Sequence, residues 1–176
     1  MDRGRLDAAA DGMKAQSFAS RADFQRLLVE TLGWASDQGC RELHAWDASF
    51  VDWPLSDAAA LAALTGWART GRQLHLLALQ YDDIVRRHPR FVRWRRDYAH
   101  CVTARAVDPE FRLEAAPESL LLAVGAETTV SLRLFDRHLW RGELSLDAAQ
   151  RLRAMEWFDA LAQRSSDSFA PTTLGL

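Results

Sequence analysis

The stretch QLHLLAL, residues 73–79, is nearly all apolar and is the segment that decides the fold. An apolar run of this length predicts a strand in a sheet that is covered on both faces. One further strand is predicted on each side of it: ELHAWD at 42–47 precedes it, and CVTARAV at 101–107 follows it. Helical patterns separate the three strands, and this alternation is typical of right-handed crossovers between parallel strands. The sequence therefore predicts an α/β fold with a mainly parallel sheet and helices on both faces.

Start and stop signals place the helices between these strands. Ser20 is a predicted N-cap, and Gly39 ends the helix that follows it. Ser56 is the predicted cap of a second helix. Pro89 begins the third helix, because proline is well tolerated in a first turn. A closing helix begins near Asp147.

The C-terminal half has a different pattern. Residues 120–135 are predicted to form two strands joined by a turn at Gly125, and 137–146 form a loop or a short edge strand. The whole of 15–176 is predicted to be one α/β domain, since either half alone would be small for an independent core. Residues 1–14 are polar and are predicted to be a flexible tail.

Composition limits the function classes. The formal net charge is −2, so any basic surface for nucleic acid has to be local rather than global. The only cysteines, Cys40 and Cys101, are expected to be reduced core residues. There is no apolar signal-peptide core and no apolar run of about 20 residues, so we expect a cytoplasmic location and no membrane contact.

The common catalytic and cofactor motifs are absent. A P-loop requires Gly-Lys-Ser/Thr, and the only lysine is Lys14 in the N-terminal tail. The patterns GxGxxG, GxSxG and HExxH do not occur either. His44 and His75 lie in predicted strands and are interpreted as hydrogen-bonded core or rim residues, because zinc needs three or four convergent ligands. No cofactor and no metal are predicted.

The segment RRHPRFVRWRR, residues 86–96, combines six arginines with aromatic residues. Interleaved arginines and aromatics can grip phosphates and stack on bases. The favoured interpretation is a solvated helix face: Phe91 and Trp94 share an apolar stripe, and Arg93 and Arg96 lie opposite to it. Three nearby acids can pair with several of the arginines: Asp82, Asp83 and Asp97.

A polar cleft is predicted at the carboxyl ends of the strands, where open parallel sheets usually bind ligands. Its candidate binding residues are Asp47, Asp82, His88, Arg90 and Arg105. Two carboxylates, an imidazole and two guanidiniums can hold a polar or phosphorylated ligand. The alternative interpretation is an ion-pair cluster that ties strand ends to loops.

Two segments carry a resemblance to a known family: RHPRFVRWRRDYAHCVTAR at 87–105 and MEWFDALAQRSSDSFAPTTLGL at 155–176. Together with the order of elements, they resemble a bacterial domain of unknown function that occurs alone or appended to acetyltransferases of the GNAT superfamily. Its layout is similar to one half of the phospholipase D fold. The resemblance therefore implies a phospholipase D-like half domain over about residues 16–176.

Phospholipase D enzymes use an HxKxxxxD motif, and this sequence departs from it. Gly12 stands where a histidine would precede Lys14. His88 and Arg90 have the first spacing, but Arg95 replaces the aspartate. The strand expected to carry the motif, LLLAVG at 120–125, has no polar side chain. The resemblance thus implies the scaffold without its chemistry.

Three functions remain open. The leading hypothesis is a non-catalytic binding or regulatory module that recognises a phosphate-bearing ligand or a protein partner. The alternative is an atypical phosphodiesterase or nuclease built on His88, Asp82 and Arg105. The third is nucleic-acid binding through the arginine-rich helix 86–96. Trp53 and Trp140 can serve either a homodimer or the anchoring of loops.

Overall fold

The computed structural model of the protein describes residues 12–111 and 116–171. These ranges form an eight-stranded sheet with helices packed on both faces. In chain order the elements are β1 (Gln16–Ala19), α1 (Arg21–Asp37), β2 (Glu42–Asp47), α2 (Ala58–Trp67), β3 (Gln73–Ala78), α3 (Asp82–Arg87), α4 (Pro89–Asp97), a 3₁₀ turn (Ala99–Cys101), β4 (Val102–Val107), β5 (Ser119–Val124), β6 (Thr129–Asp136), β7 (Arg141–Ser145), α5 (Ala148–Gln163) and β8 (Ser165–Asp167). Within these ranges, no helix has the length and apolarity needed to cross a bilayer.

The sheet is mixed, with the strand order β1-β7-β6-β5-β2-β3-β4-β8. Only β2–β3 and β3–β4 pair in parallel, and the other pairs are antiparallel. The prediction of a mainly parallel sheet is therefore wrong. Short connections join β5, β6 and β7, and short connections allow only antiparallel neighbours. Strand β5 of this meander pairs with the edge of β2 that β3 leaves free. The number of strands in the sheet is doubled in this way without any crossover helix.

Helices cover both faces of the sheet, as predicted. Helices α1, α2 and α4 pack on one face, here called the front face, where Phe24, Trp67 and Phe91 are fully buried. Helix α5 covers the opposite face, here called the back face, and buries Phe158 and Leu161. Alternate residues of each strand point to opposite faces, so every central strand contributes to both cores.

The sequence signals for the helix starts are largely confirmed. The Ser20 hydroxyl accepts the backbone N–H of Asp23, and Pro89 is in the first turn of α4. Asp147 caps α5. The prediction for α2 is one residue off, because Asp57 rather than Ser56 accepts the N–H groups of the first turn. A carboxylate at that position also interacts favourably with the positive end of the helix dipole, which stabilises α2.

Residues 137–146 contain β7, which lies between β6 and β1 and is therefore not at an edge. The edge position goes to β1, whose residues pair with β7. Gly142 makes this pairing possible, since a Cβ there would overlap the carbonyl oxygen of Arg133 and the ring of Phe18. Most of the predicted tail lies outside the described residues; within it, Met13 is buried in the front-face core.

Both cysteines are buried and free, which agrees with the sequence interpretation. Burial raises the pKa of the Cys40 thiol to about 11, and burial also raises the pKa of Cys101. Because only the thiolate reacts, neither thiol of the native protein is expected to react with Ellman's reagent at about pH 8. Both should react after unfolding in guanidinium chloride. Rapid labelling of one native thiol would contradict this expectation.

Candidate functional site

The carboxyl end of β2 holds a network of ion pairs, here called the strand-end cluster (Arg21, Asp47, Asp52, Glu118 and Arg137). The Asp47 side chain is 1% exposed, and its Oδ2 accepts a hydrogen bond from Arg137 Nη2 at 2.7 Å. Its Oδ1 accepts the backbone N–H groups of Ser49 and Phe50. Both oxygens of this carboxylate are therefore satisfied by the protein itself.

Arg137 is the centre of the strand-end cluster. Its Nη1 lies 2.8 Å from Asp52 Oδ2, and its backbone N–H donates to Glu118. Burial alone would lower the pKa of Arg137, but the carboxylates of Asp47 and Asp52 raise it above its ordinary value. Arg21 closes the network by contacting Asp52 at 3.0 Å. Every charge in the cluster has an opposite partner, so its geometry favours a structural role.

Two tryptophans, Trp53 and Trp140, pack next to the strand-end cluster. Trp53 is buried, and its Nε1 donates to Ser119 Oγ at 2.8 Å. Trp140 is half-buried and packs at a tilt beside Phe24, and the centre of its ring lies 5.8 Å from the guanidinium carbon of Arg137. These contacts fit the second of the two roles predicted for Trp53 and Trp140, the anchoring of loops. Arg137 and Trp140 were not among the predicted site residues, because no local pattern marks a loop residue that reaches a distant strand end.

The five predicted cleft residues lie in different surroundings. Asp47 belongs to the strand-end cluster, and Asp82 and Arg90 are exposed on α3 and α4. His88 is buried, and its Nε2 donates to the carbonyl oxygen of Val51 at 3.3 Å. Arg105 pairs with β8, where its guanidinium contacts Ser165 and Asp167.

The strand register explains why these side chains do not converge. Asp47 shares its side of β2 with Leu43 and Ala45, which face the front core. Arg105 is paired with Leu77, which faces the back core. Asp47 and Arg105 therefore point to opposite faces of the sheet. The predicted cleft therefore cannot hold all five residues, because a sequence pattern locates the ends of strands but not the face to which each side chain points.

Five arginines of α3 and α4 are exposed, and together they are here called the arginine surface. Its members are Arg86, Arg87, Arg90, Arg93 and Arg96. Among the described residues, no carboxylate lies within 4.0 Å of any of their guanidinium nitrogens. The prediction of a solvated helix face is confirmed for Arg93 and Arg96, which are exposed. Phe91 and Trp94 are buried on the other side of α4, as predicted.

The predicted pairing of these arginines with nearby acids is wrong. Asp83 accepts a hydrogen bond from Gln80 Nε2 instead, and Asp82 and Asp97 are exposed without an arginine partner in the part of the chain that the structure describes. Asp82 and Asp83 lie in the first turn of α3, whereas Arg86 and Arg87 lie in its last turn. This order follows the helix dipole, and although the four-residue spacing places Asp82 near Arg86 and Asp83 near Arg87, neither pair closes to within 4.0 Å.

One arginine of α4 is on the buried side. Arg95 is 5% exposed, and its Nε and Nη1 have no hydrogen-bond partner among the described residues. Burial lowers its pKa, only partly opposed by Tyr81. The side chain lines a cavity of about 490 Å³ together with Thr103, Ser168 and Phe169.

A second polar cluster lies on the back face, at the N-terminal ends of β2 and β3. Its members are Glu42, His44 and His75, whose candidate ligand atoms all lie within 4.8 Å of one another. His44 Nε2 donates to Glu42 at 3.0 Å, and His75 Nδ1 is 2.9 Å from Thr103 Oγ1. The histidines are hydrogen-bonded as expected. Their convergence with a carboxylate was missed, because it depends on the register between two strands.

The fold is shared with solved proteins. TrmBL2, an archaeal chromatin protein whose structure is described as showing a novel mode of DNA binding, superposes with a TM-score of 0.56 at 14% identity over 93% of this chain. The chain spans 57% of the length of TrmBL2. NucT from Helicobacter pylori superposes with a TM-score of 0.52 at 9% identity, over 88% of this chain and 99% of NucT. At these identities the likeness concerns the fold alone. No protein-family model matches the chain, and no curated protein matches its sequence.

Proposed function

We propose that this chain is a non-catalytic nucleic-acid-binding module that holds the phosphate backbone through the arginine surface. The observation that carries the proposal is the set of five exposed guanidiniums without a carboxylate partner in the described part of the chain. The arginines of the strand-end cluster are paired with carboxylates, whereas Arg141 and Arg153 are also exposed without a partner among the described residues but lie singly on β7 and α5. Unpaired arginines on one helical surface leave their charge and their donors available to an external anion.

The chemistry of the arginine surface suits phosphate. A guanidinium offers a planar fork of donors that matches phosphate oxygens, and it stays charged at all relevant pH values. Arg90, Arg93 and Arg96 are three residues apart and so lie about 4.5 Å apart along the axis of α4.

The interface is expected to read the backbone rather than the bases. The aromatic residues of α4, Phe91 and Trp94, are buried in the front core and are not available for base stacking. Affinity should therefore be independent of sequence, with a Kd of about 10⁻⁴ to 10⁻⁶ M at physiological salt. The description of TrmBL2 as a DNA-binding protein with the same fold supports this proposal.

The nuclease alternative receives less support from the geometry. Its proposed histidine, His88, is 8% exposed and already donates to Val51. β5, the strand that a phospholipase D motif would occupy, contains neither histidine nor lysine. Asp82 is exposed on α3, and Arg105 faces the back of the sheet, so neither is placed to assist His88.

Charge reversal of Arg90→Glu together with Arg93→Glu tests the proposal. Fluorescence anisotropy with a labelled DNA duplex should show saturable binding for the natural protein, and its loss in the double variant. If all five arginines contact phosphates, log K should fall with log salt with a slope of about −4.5 for a duplex, or about −3.5 for a single strand.

The control is Arg141→Glu together with Arg153→Glu. Both residues are exposed on other elements and have no ion-pair partner among the described residues, so the change in net charge is the same. This control should retain most of the affinity. An equal loss in both double variants would mean that only overall charge matters, and binding without salt dependence would exclude the arginine surface as the interface.

A further inference from the structure

We propose that Glu42, His44 and His75 form a binding site for a divalent transition-metal ion, with Zn²⁺ as the ion that best suits the donor set. Two imidazoles and one carboxylate are ligands that zinc accepts, and three protein ligands leave one position for water or a further group. The site lies on the back face, whereas α4 packs on the front face. The inference therefore does not depend on the proposed nucleic-acid binding.

Strand register brings the three side chains together. His44 of β2 is paired in register with His75 of the adjacent parallel strand β3, and the ring centroids are 4.9 Å apart. Glu42 precedes His44 by two residues and therefore points to the same face. All three donors are attached to adjacent central strands of the sheet, so the backbone that positions them is rigid.

The hydrogen bonds around the cluster orient it for metal binding. In the tautomer in which His75 Nδ1–H donates to Thr103 Oγ1, the Nε2 atom of His75 is a free acceptor. Metal-binding histidines commonly donate their second ring nitrogen to an oxygen in this way. His44 is 6% exposed, and its Nδ1 is buried without a partner in the described residues. Metal binding would replace the proton that His44 Nε2 donates to Glu42, and the neutral ring would then carry its proton on Nδ1.

Small side-chain movements would complete the geometry. Tetrahedral zinc holds nitrogen and oxygen donors about 3.3 Å apart at bond lengths of about 2.0 to 2.1 Å. The donors are within 4.8 Å of one another, so closing the site requires a shift of an ångström or so. Glu42 can supply it, because its side chain is 52% exposed at the first position of β2.

The full chain, treated with a chelator and then titrated with ZnCl₂ by calorimetry, tests the site. We expect saturable binding of about one zinc per chain, and a rise in melting temperature because the folded state alone holds the assembled donors. Glu42→Gln and His75→Gln should each weaken zinc binding about tenfold or more, and Thr103→Val should weaken it through the orientation of His75.

Matched controls separate this site from surface histidines. His100→Gln and His138→Gln alter exposed histidines and should leave zinc affinity unchanged. Glu42 is half-exposed, so Glu42→Gln should remain folded by circular dichroism even if His75→Gln does not. Absence of zinc binding to the natural chain, or equal affinity in Glu42→Gln, would overturn the proposal and leave only a hydrogen-bonded histidine pair.

Discussion

Replacing Asp47 by alanine is expected to lower the free energy of unfolding by about 3 to 5 kcal/mol, the usual cost of breaking a buried ion pair from one side. The Asp47 carboxylate is almost fully buried and accepts hydrogen bonds from Arg137, Ser49 and Phe50. Its loss leaves two backbone N–H groups without their acceptor and removes one of the three carboxylates that surround Arg137. Chemical denaturation monitored by tryptophan fluorescence measures the change.

Two comparisons make the Asp47 prediction specific. Asp47→Asn keeps an acceptor for the backbone N–H groups and should lose less stability than Asp47→Ala. Glu30→Ala breaks an exposed pair with Arg26 on α1 and should cost less than about 1 kcal/mol. If Asp47→Ala folded as stably as the natural chain, the strand-end cluster would not be structural. Asp47 would then be free to serve a ligand, as the sequence analysis proposed.

Replacing Arg95 by methionine is expected to raise the free energy of unfolding by about 1 to 3 kcal/mol, the usual cost of a buried donor that lacks a partner. Methionine has a similar length and flexibility, so it can fill the space beside Phe169 without the charge. The measurement is again denaturant unfolding. The variant should bind nucleic acid as the natural chain does, because Arg95 is not part of the arginine surface.

The neighbouring residue provides the control for Arg95. Arg96→Met alters an exposed side chain of the same helix and should change stability by less than about 0.5 kcal/mol. It should instead weaken nucleic-acid binding and reduce the salt slope by about one phosphate contact. Destabilisation by Arg95→Met would show that the buried guanidinium has a partner after all. The adjoining cavity is where an anion would then be sought.

The helix α4 illustrates how far periodicity alone reaches. Spacing predicted that Phe91 and Trp94 face the core and that Arg93 and Arg96 face solvent, and both statements are confirmed. The same spacing gave no warning that Arg95 is buried. A helix that packs under a sheet edge, and beneath the chain that follows β8, buries more of its circumference than an isolated amphipathic helix does.

The sequence by itself determined the local elements of this protein. Ser20, Pro89 and Asp147 start helices through hydrogen bonds or a fixed backbone angle within a few residues, and the apolar run at 73–79 marks β3 because burial selects such runs. These signals act over short distances and can be seen in one chain. They were sufficient to predict an α/β fold with both faces of the sheet covered.

Only the tertiary structure decided the strand order and the contents of the candidate sites. The edge of β2 that receives β5, the face to which Arg105 points, and the register that pairs His44 with His75 all depend on contacts between residues distant in sequence. A shift of one residue in a strand exchanges the two faces of the sheet, so a site assembled across strands is fixed by register. That information arises from the packing of the whole sheet, and no local pattern contains it.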